Sequence, residues 1–324
     1  MINRRKFLHA SLAGGVALSL PRSSQLFPVH GVEAFVSPLL EAKSGETLIT
    51  ILHTNDTHSQ IDPIGENDRQ FAGKGGVARR ATLVKRIRKE NPNTLMVDGG
   101  DVFQGTPYFN FYKGEVEYKS MSMIGYDVVT LGNHDFDNGV DALVAAMKFA
   151  TFDFVSTNYD VRGTPLEKLV KPYVVRVLGG VRVGLFGMGI NPANLITPEN
   201  FKGVTYMDPV RMARGVVKVL RGQERCTLVV GMSHLGYYPE AREGGVGDSQ
   251  VASQVDGIDF IAGGHTHTFM DKPVLVKQPS GKDTVLFQVG RSGIYVGRVD
   301  FKLRGGKVIA SAGRLLDLRG QSLA

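Results

Sequence analysis

The sequence predicts a layered α/β protein, a four-layer α/β/β/α sandwich of two mixed sheets packed face to face with helices outside. Three observations point there. From residue 46 onward, short apolar runs alternate with segments of helical period. Hairpin signals gather in the C-terminal part. Clusters of Asp, Asn and His follow directly on the apolar runs, where strand-end loops of layered α/β proteins carry their sites. A chain of 324 residues, 42% of them hydrophobic, can bury the core of one large domain. A charged fraction of 21% excludes a chain disordered throughout.

Each element has its own reason. Residues 47–52 form a short apolar strand. Residues 76–90 place Val77, Ala81, Val84 and Ile87 on one helical face. A buried strand follows at 94–97, a helix at 115–124 and a strand at 127–131. A helix at 139–150 leads into a strand at 154–158. The runs 173–177 and 181–186 flank a Gly-Gly pair and read as a hairpin. Asp208 and Pro209 supply an N-cap and a proline at the first helical position. Val210, Ala213, Val217 and Leu220 then mark that helix's inner face. Strands are expected at 226–231, 258–262, 284–289, 294–303 and 307–315, the last two joined by Arg304-Gly305-Gly306.

The first 45 residues read as an address and linker, and residues 319–324 as a tail. Asn3-Arg4-Arg5-Lys6-Phe7-Leu8 precedes a mild apolar run at 11–20, the pattern of a twin-arginine export signal. That run is much shorter than the roughly 20 residues of a membrane-spanning helix. A periplasmic or otherwise exported protein without a transmembrane segment after signal removal is therefore expected. The net charge of +7 comes partly from this segment. More comes from Arg79, Arg80, Lys85, Arg86, Arg88 and Lys89, which read as the solvated face of a helix, so no nucleic-acid partner is expected. The single cysteine, Cys226, lies in an apolar run and reads as a small buried hydrophobe.

Five segments carry candidate chemistry. Leu52-His53-Thr54-Asn55-Asp56-Thr57-His58 offers Asp56 and His58 two residues apart, on the same side of an extended stretch. Asp98-Gly99-Gly100-Asp101 presents Asp101 after a glycine turn, as a carboxylate able to bridge two cations. Gly132-Asn133-His134-Asp135-Phe136-Asp137 offers an amide oxygen, an imidazole and two acids. Ser233-His234 ends the fourth run. Gly263-Gly264-His265-Thr266-His267 gives two histidines flanking one residue. Their conjunction is a thiolate-free N/O donor set that suits two divalent ions, with Mn, Zn or Fe favoured and Ca disfavoured.

These strings resemble the calcineurin-like metallophosphoesterases, within them the 5′-nucleotidase and UDP-sugar hydrolase branch, over about 48–303. The resemblance implies that Asp56, His58 and His267 hold one metal, that Asn133, His234 and His265 hold the second, and that Asp101 bridges both. It implies His134 as the catalytic histidine, oriented by Asp137, with Asp135 as the alternative partner. Substrate contacts would fall to Asn133 and His134. The implied reaction is hydrolysis of a small phosphate monoester, a nucleotide by preference, through attack by a hydroxide held between the ions. Two alternatives stand beside it. One is a sulfur-oxidation thiol-sulfate hydrolase. The other is a catalytic half that needs a separately encoded nucleoside-binding C-terminal domain as partner.

Other residues have plainer readings. His53 reads as packing or support behind the first ligand. Phe103, Tyr108, Phe109, Phe111 and Tyr112 read as core or a lip near the site, with substrate stacking as the functional option. Arg291, in a Gly-Arg-Ser-Gly turn, is either a phosphate contact or a surface turn residue.

Overall fold

The structure, a computed structural model, describes residues 33–34, 40–238 and 245–318. The export signal around Arg4 and Arg5 and the tail 319–324 lie outside the described residues. Sixteen strands and six helices are assigned among them. In chain order they are β1 (Glu33–Ala34), β2 (Glu46–Thr54), α1 (Val77–Glu90), β3 (Thr94–Asp98), α2 (Pro107–Tyr112), α3 (Glu115–Ile124) and β4 (Val128–Thr130). Then come α4 (Gly139–Met147), β5 (Asp153–Val155), β6 (Tyr159–Asp160), β7 (Val170–Lys171), β8 (Tyr173–Leu178), β9 (Val181–Gly189) and β10 (Thr205–Tyr206). The rest are α5 (Pro209–Gly222), β11 (Leu228–His234), α6 (Asp248–Gln254), β12 (Phe260–Ala262), β13 (Val274–Lys277), β14 (Asp283–Phe287), β15 (Tyr295–Arg304) and β16 (Lys307–Asp317).

One seven-stranded sheet has the order β16-β15-β2-β3-β4-β5-β7. Its strands β2 to β7 run parallel, and β15 and β16 add antiparallel. The other runs β1-β13-β14-β12-β11-β9-β8, parallel at its centre and antiparallel at both flanks. Both sheets are mixed, as expected. Strand alternation splits the apolar residues between two cores. Ile49, Ile51, Val97 and Val128 join Leu185, Leu228 and Val230 between the sheets, while Leu52, Met96 and Val129 face outward to Leu83, Val84 and Ile87 of α1. On the other outer face, α5 begins at Asp208, whose carboxylate accepts the Arg211 N–H at 2.7 Å. It buries Val210, Ala213, Val217 and Leu220, a burial worth about 1.5–3 kcal/mol for each of the larger side chains.

Several expectations need correction. Glu33–Ala34 pairs with Leu275 and Val274 of β13, inside the stretch read as linker. The aromatic segment contains α2, and α6 and β13 were not foreseen; six or seven residues are too few to show a helical period. The fourth apolar run does not stop short of its histidine, because β11 continues to His234 itself. Arg80 does not lie on a solvated face. It is 3% exposed, with its guanidinium 6.0 Å from the Tyr126 ring centroid, and Arg88 reaches Gly125 O and Asp127. Cys226 is buried as expected.

Candidate metal centre

The ends of β2, β3, β4, β11 and β12 meet at one place. The segment after β2 is held against the segment after β3 by three backbone bonds: Asp56 N–H to Gly100 O, His58 N–H to Asp101 O and Ser59 N–H to Val102 O, at 2.9, 3.1 and 2.7 Å. Asp56 and His58 are not on an extended stretch, which corrects the reason given for their convergence. Both have left-handed backbone, with φ of 50° and 46°. So do Asp101, His265 and His267, making five of the seven candidate ligands. Non-glycine residues take this conformation rarely and at a cost, and such residues gather at functional sites.

Two clusters result. Asp56, His58 and His267 form one; Asp101, His234 and His265 form the other. His58 Nε2 lies 2.9 Å from His267 Nε2, and Asp56 Oδ1 lies 3.3 Å from His267 Nε2. Asp101 Oδ2 lies 3.0 Å from His234 Nε2. The clusters adjoin, since Asp56 Oδ1 is also 3.9 Å from His234 Nε2. Asn133 Oδ1 joins the second at 3.1 Å from His265 Nδ1. The seven expected ligand residues are thus brought together.

The donor set fits a pair of cations. His58 Nδ1 faces Phe103 O at 3.2 Å and His234 Nδ1 faces Gly99 O at 2.8 Å. A carbonyl can only accept, so each Nδ1 carries a proton and each Nε2 is turned inward. Three imidazole Nε2 atoms and two carboxylates then face a common space. Burial holds His58 below its ordinary range and takes His265 down to about 4, keeping both neutral and able to ligate. Burial also opposes charge on His234, but the Asp101 carboxylate outweighs it and holds this imidazole up at about 10, so a cation ligated there would displace a proton from its Nε2.

The residues around these ligands were largely missed. Asn55 spans the centre: its Nδ2 donates to Asp56 Oδ2 at 2.5 Å and to Gly290 O at 2.6 Å, while its Oδ1 accepts the Val289 N–H. Asp135 accepts from the N–H groups of Asp101, Val102, Phe103 and Gly132. Burial and the nearby Asp101 push its carboxyl up to about 7, against the pull of those bonds. Gly132 permits this contact, since a Cβ there would sit 2.2 Å from Asp101 Oδ1. His134 pairs with Asp137, Nδ1 to Oδ2 at 2.9 Å, and this bond raises the histidine's pKa. Its ring lies 5.5 Å from that of His58. Arg291 is exposed, in a turn tied to the centre by Ser292 N–H to Asp56 O at 2.7 Å. His53 lies behind the centre with its ring edge-on to Phe260 and Phe287.

Two stacked mixed sheets with paired Asp/His clusters at their strand ends define a metal-binding α/β protein of the dinuclear type. The model of the calcineurin-like phosphoesterase family matches residues 49–269, and the chain belongs to that family. A snake venom 5′-nucleotidase from Gloydius brevicauda is 30% identical over 327 residues, covering 92% of this chain and 53% of the relative. The structure of a 5′-nucleotidase precursor from Thermus thermophilus is 34% identical with a TM-score of 0.75, over 85% of this chain and 55% of that one. The sulfate thiohydrolase SoxB from the same organism superposes with a TM-score of 0.71 at 20% identity, over 88% and 59%, a likeness of fold alone. The chain spans about half the length of the curated relatives it matches. Among the described residues, no helix is long and apolar enough to cross a membrane.

Proposed function

We propose that the chain hydrolyses phosphate monoesters, nucleotides among them, with two divalent cations of the Mn, Zn or Fe type. The observation that carries this reading is the pair of adjoining Asp/His clusters, with the Nε2 atoms of His58 and His234 turned inward by the carbonyls behind them. Asp56, His58 and His267 would hold one ion, Asn133, His234 and His265 the other, with Asp101 between them. Bound there, the ions would supply Lewis-acid activation of water and offset charge on the phosphoryl oxygens.

The chain's own residues do the rest. Asp137 accepts a 2.9 Å bond from the Nδ1–H of His134, which leaves Nε2 as the nitrogen that can give a proton to the departing alcohol oxygen. The bond stabilises the imidazolium and fixes the ring plane. Asn133 would turn its amide toward a phosphoryl oxygen, and Arg291, in the turn tied to Asp56, would do so from the rim. Family membership and the 5′-nucleotidase relatives support a nucleotide as the ester. Purified protein with about two ions per chain should release phosphate from adenosine 5′-monophosphate, lose that activity to a chelator and regain it with Mn²⁺. Protein carrying both ions but inert toward every phosphate monoester would refute the reading.

Export to the periplasm is proposed on Arg4-Arg5 and the apolar run after it. Replacing both arginines by lysine should retain the protein in the cytoplasmic fraction; unchanged export would remove this support.

A further inference from the structure

Helix α2 exposes two large aromatic rings. Phe111 is 78% exposed and Tyr112 51%, although Phe109 of the same helix is buried. Isolated exposed apolar residues are ordinary, but these two line a depression of about 490 Å³ with Tyr108, Thr106, Gln60 and Asp62. That volume is within the range of small-molecule sites, which pair aromatic walls with a few polar groups. Tyr108 is held in place: its hydroxyl donates to Asp62 Oδ2 at 2.9 Å. Its ring lies 6.4 Å from that of Tyr112 with only 27° between the planes.

The depression adjoins the metal centre. Thr106 donates its hydroxyl proton to Ser59 O at 2.7 Å, and Ser59 directly follows His58. Gly105 is pressed against His58 so closely that a Cβ would come within 2.8 Å of its carbonyl oxygen. His58 in turn touches the His134 ring edge-on. The depression therefore begins within two residues of His58, whose ring meets that of His134, the residue proposed to give the departing alcohol its proton.

From this juxtaposition we infer that the α2 depression binds the leaving-group end of the ester, a planar nitrogen heterocycle such as a nucleobase, against Tyr108, Phe111 and Tyr112. The inference rests on the phosphomonoesterase reading. Stacking on exposed rings fits any base face, and the Gln60 amide and Asp62 carboxylate offer an acceptor edge for amino groups. A flat protein-docking patch would not need the concavity.

The test compares adenosine 5′-monophosphate with ribose 5-phosphate, which keeps the sugar ester and lacks the base. The wild-type protein, loaded with Mn²⁺, should favour the nucleotide in kcat/KM. The double variant Phe111→Ala/Tyr112→Ala should lower that ratio about tenfold, the size expected when a base loses stacking partners. Equilibrium dialysis with adenosine, which needs no turnover, should show a similar loss of affinity. Met123→Ala, also on the surface at 89% exposure but on α3, should change neither. A double variant with unaltered ratio and unaltered adenosine affinity overturns the inference and leaves the rings to a protein partner. Equal losses on both esters overturn it too. Should the wild type cleave neither ester, the phosphomonoesterase reading fails, and adenosine dialysis still decides the pocket.

Discussion

Asp135 accepts the backbone N–H of Asp101 at 3.2 Å, so the acid next to His134 serves the neighbouring strand's loop and not the histidine. Its four N–H donors come from the two loops that carry Asp101 and Asn133. One buried carboxylate thus fixes two strand-end segments against each other. Asp135→Ala should orphan these donors and cost about 3 kcal/mol or more, since each buried unsatisfied group costs roughly 1–3 kcal/mol. Urea denaturation and metal analysis would read the effect. A variant with the wild-type midpoint and full metal content would show that the loops hold themselves.

His134 and Asp137 should behave differently from the ligands. His134→Ala should keep both ions and lower kcat roughly 10²–10⁴-fold, the usual weight of a general acid. Asp137→Asn should lower kcat less and leave KM nearly unchanged, because it removes the charge that stabilises the imidazolium and keeps an acceptor for Nδ1. Metal content measured beside kcat separates the cases. Parallel loss of metal and turnover in His134→Ala would return this residue to a structural role.

Asp101 is proposed to stand between the ions, and its substitution should be felt at both. Asp101→Asn keeps the size but removes the negative charge beside His234. Metal stoichiometry should fall below one ion per chain, and turnover should fall with it. Normal stoichiometry and turnover would exclude the shared position.

Much of this site was legible in the sequence because its residues sit at the ends of apolar runs that became strands. The same logic placed α5, whose Asp208-Pro209 start and inner face are as expected. The choice between Asp135 and Asp137 could not be made from spacing alone. It follows from the single 3₁₀ turn at His134–Phe136, in which residues three apart lie over one another, so that Asp137 returns beneath His134. The left-handed backbone at Asp56 and His58 was also hidden. Non-glycine residues adopt it only where surrounding contacts impose it, here the bonds to Gly100 and Asp101. Arg80 misled because a basic run on a helix usually faces water, and only the packed Tyr126 and Gly293 show that this one does not.

His53 gives a prediction about stability against pH. It is fully buried, edge-on to Phe260 and Phe287, and among the described residues neither ring nitrogen has a hydrogen-bond partner. Burial lowers its pKa to about 3, from 6.5 for the free side chain. The folded protein therefore keeps it neutral, while the unfolded chain takes up a proton as pH falls below 6.5. Its contribution is fully present above that value and is lost on acidification towards 3. At pH 5.5 the loss amounts to about 1.4 kcal/mol relative to pH 7.5. His53→Leu removes the titration. Urea midpoints taken with a chelator present, so that metal loss does not enter, should fall more steeply with acid in the wild type by about that amount. The comparison is between slopes, so any packing difference caused by leucine cancels. Identical acid dependence in the two proteins would mean that His53 finds a partner or water when the site is protonated.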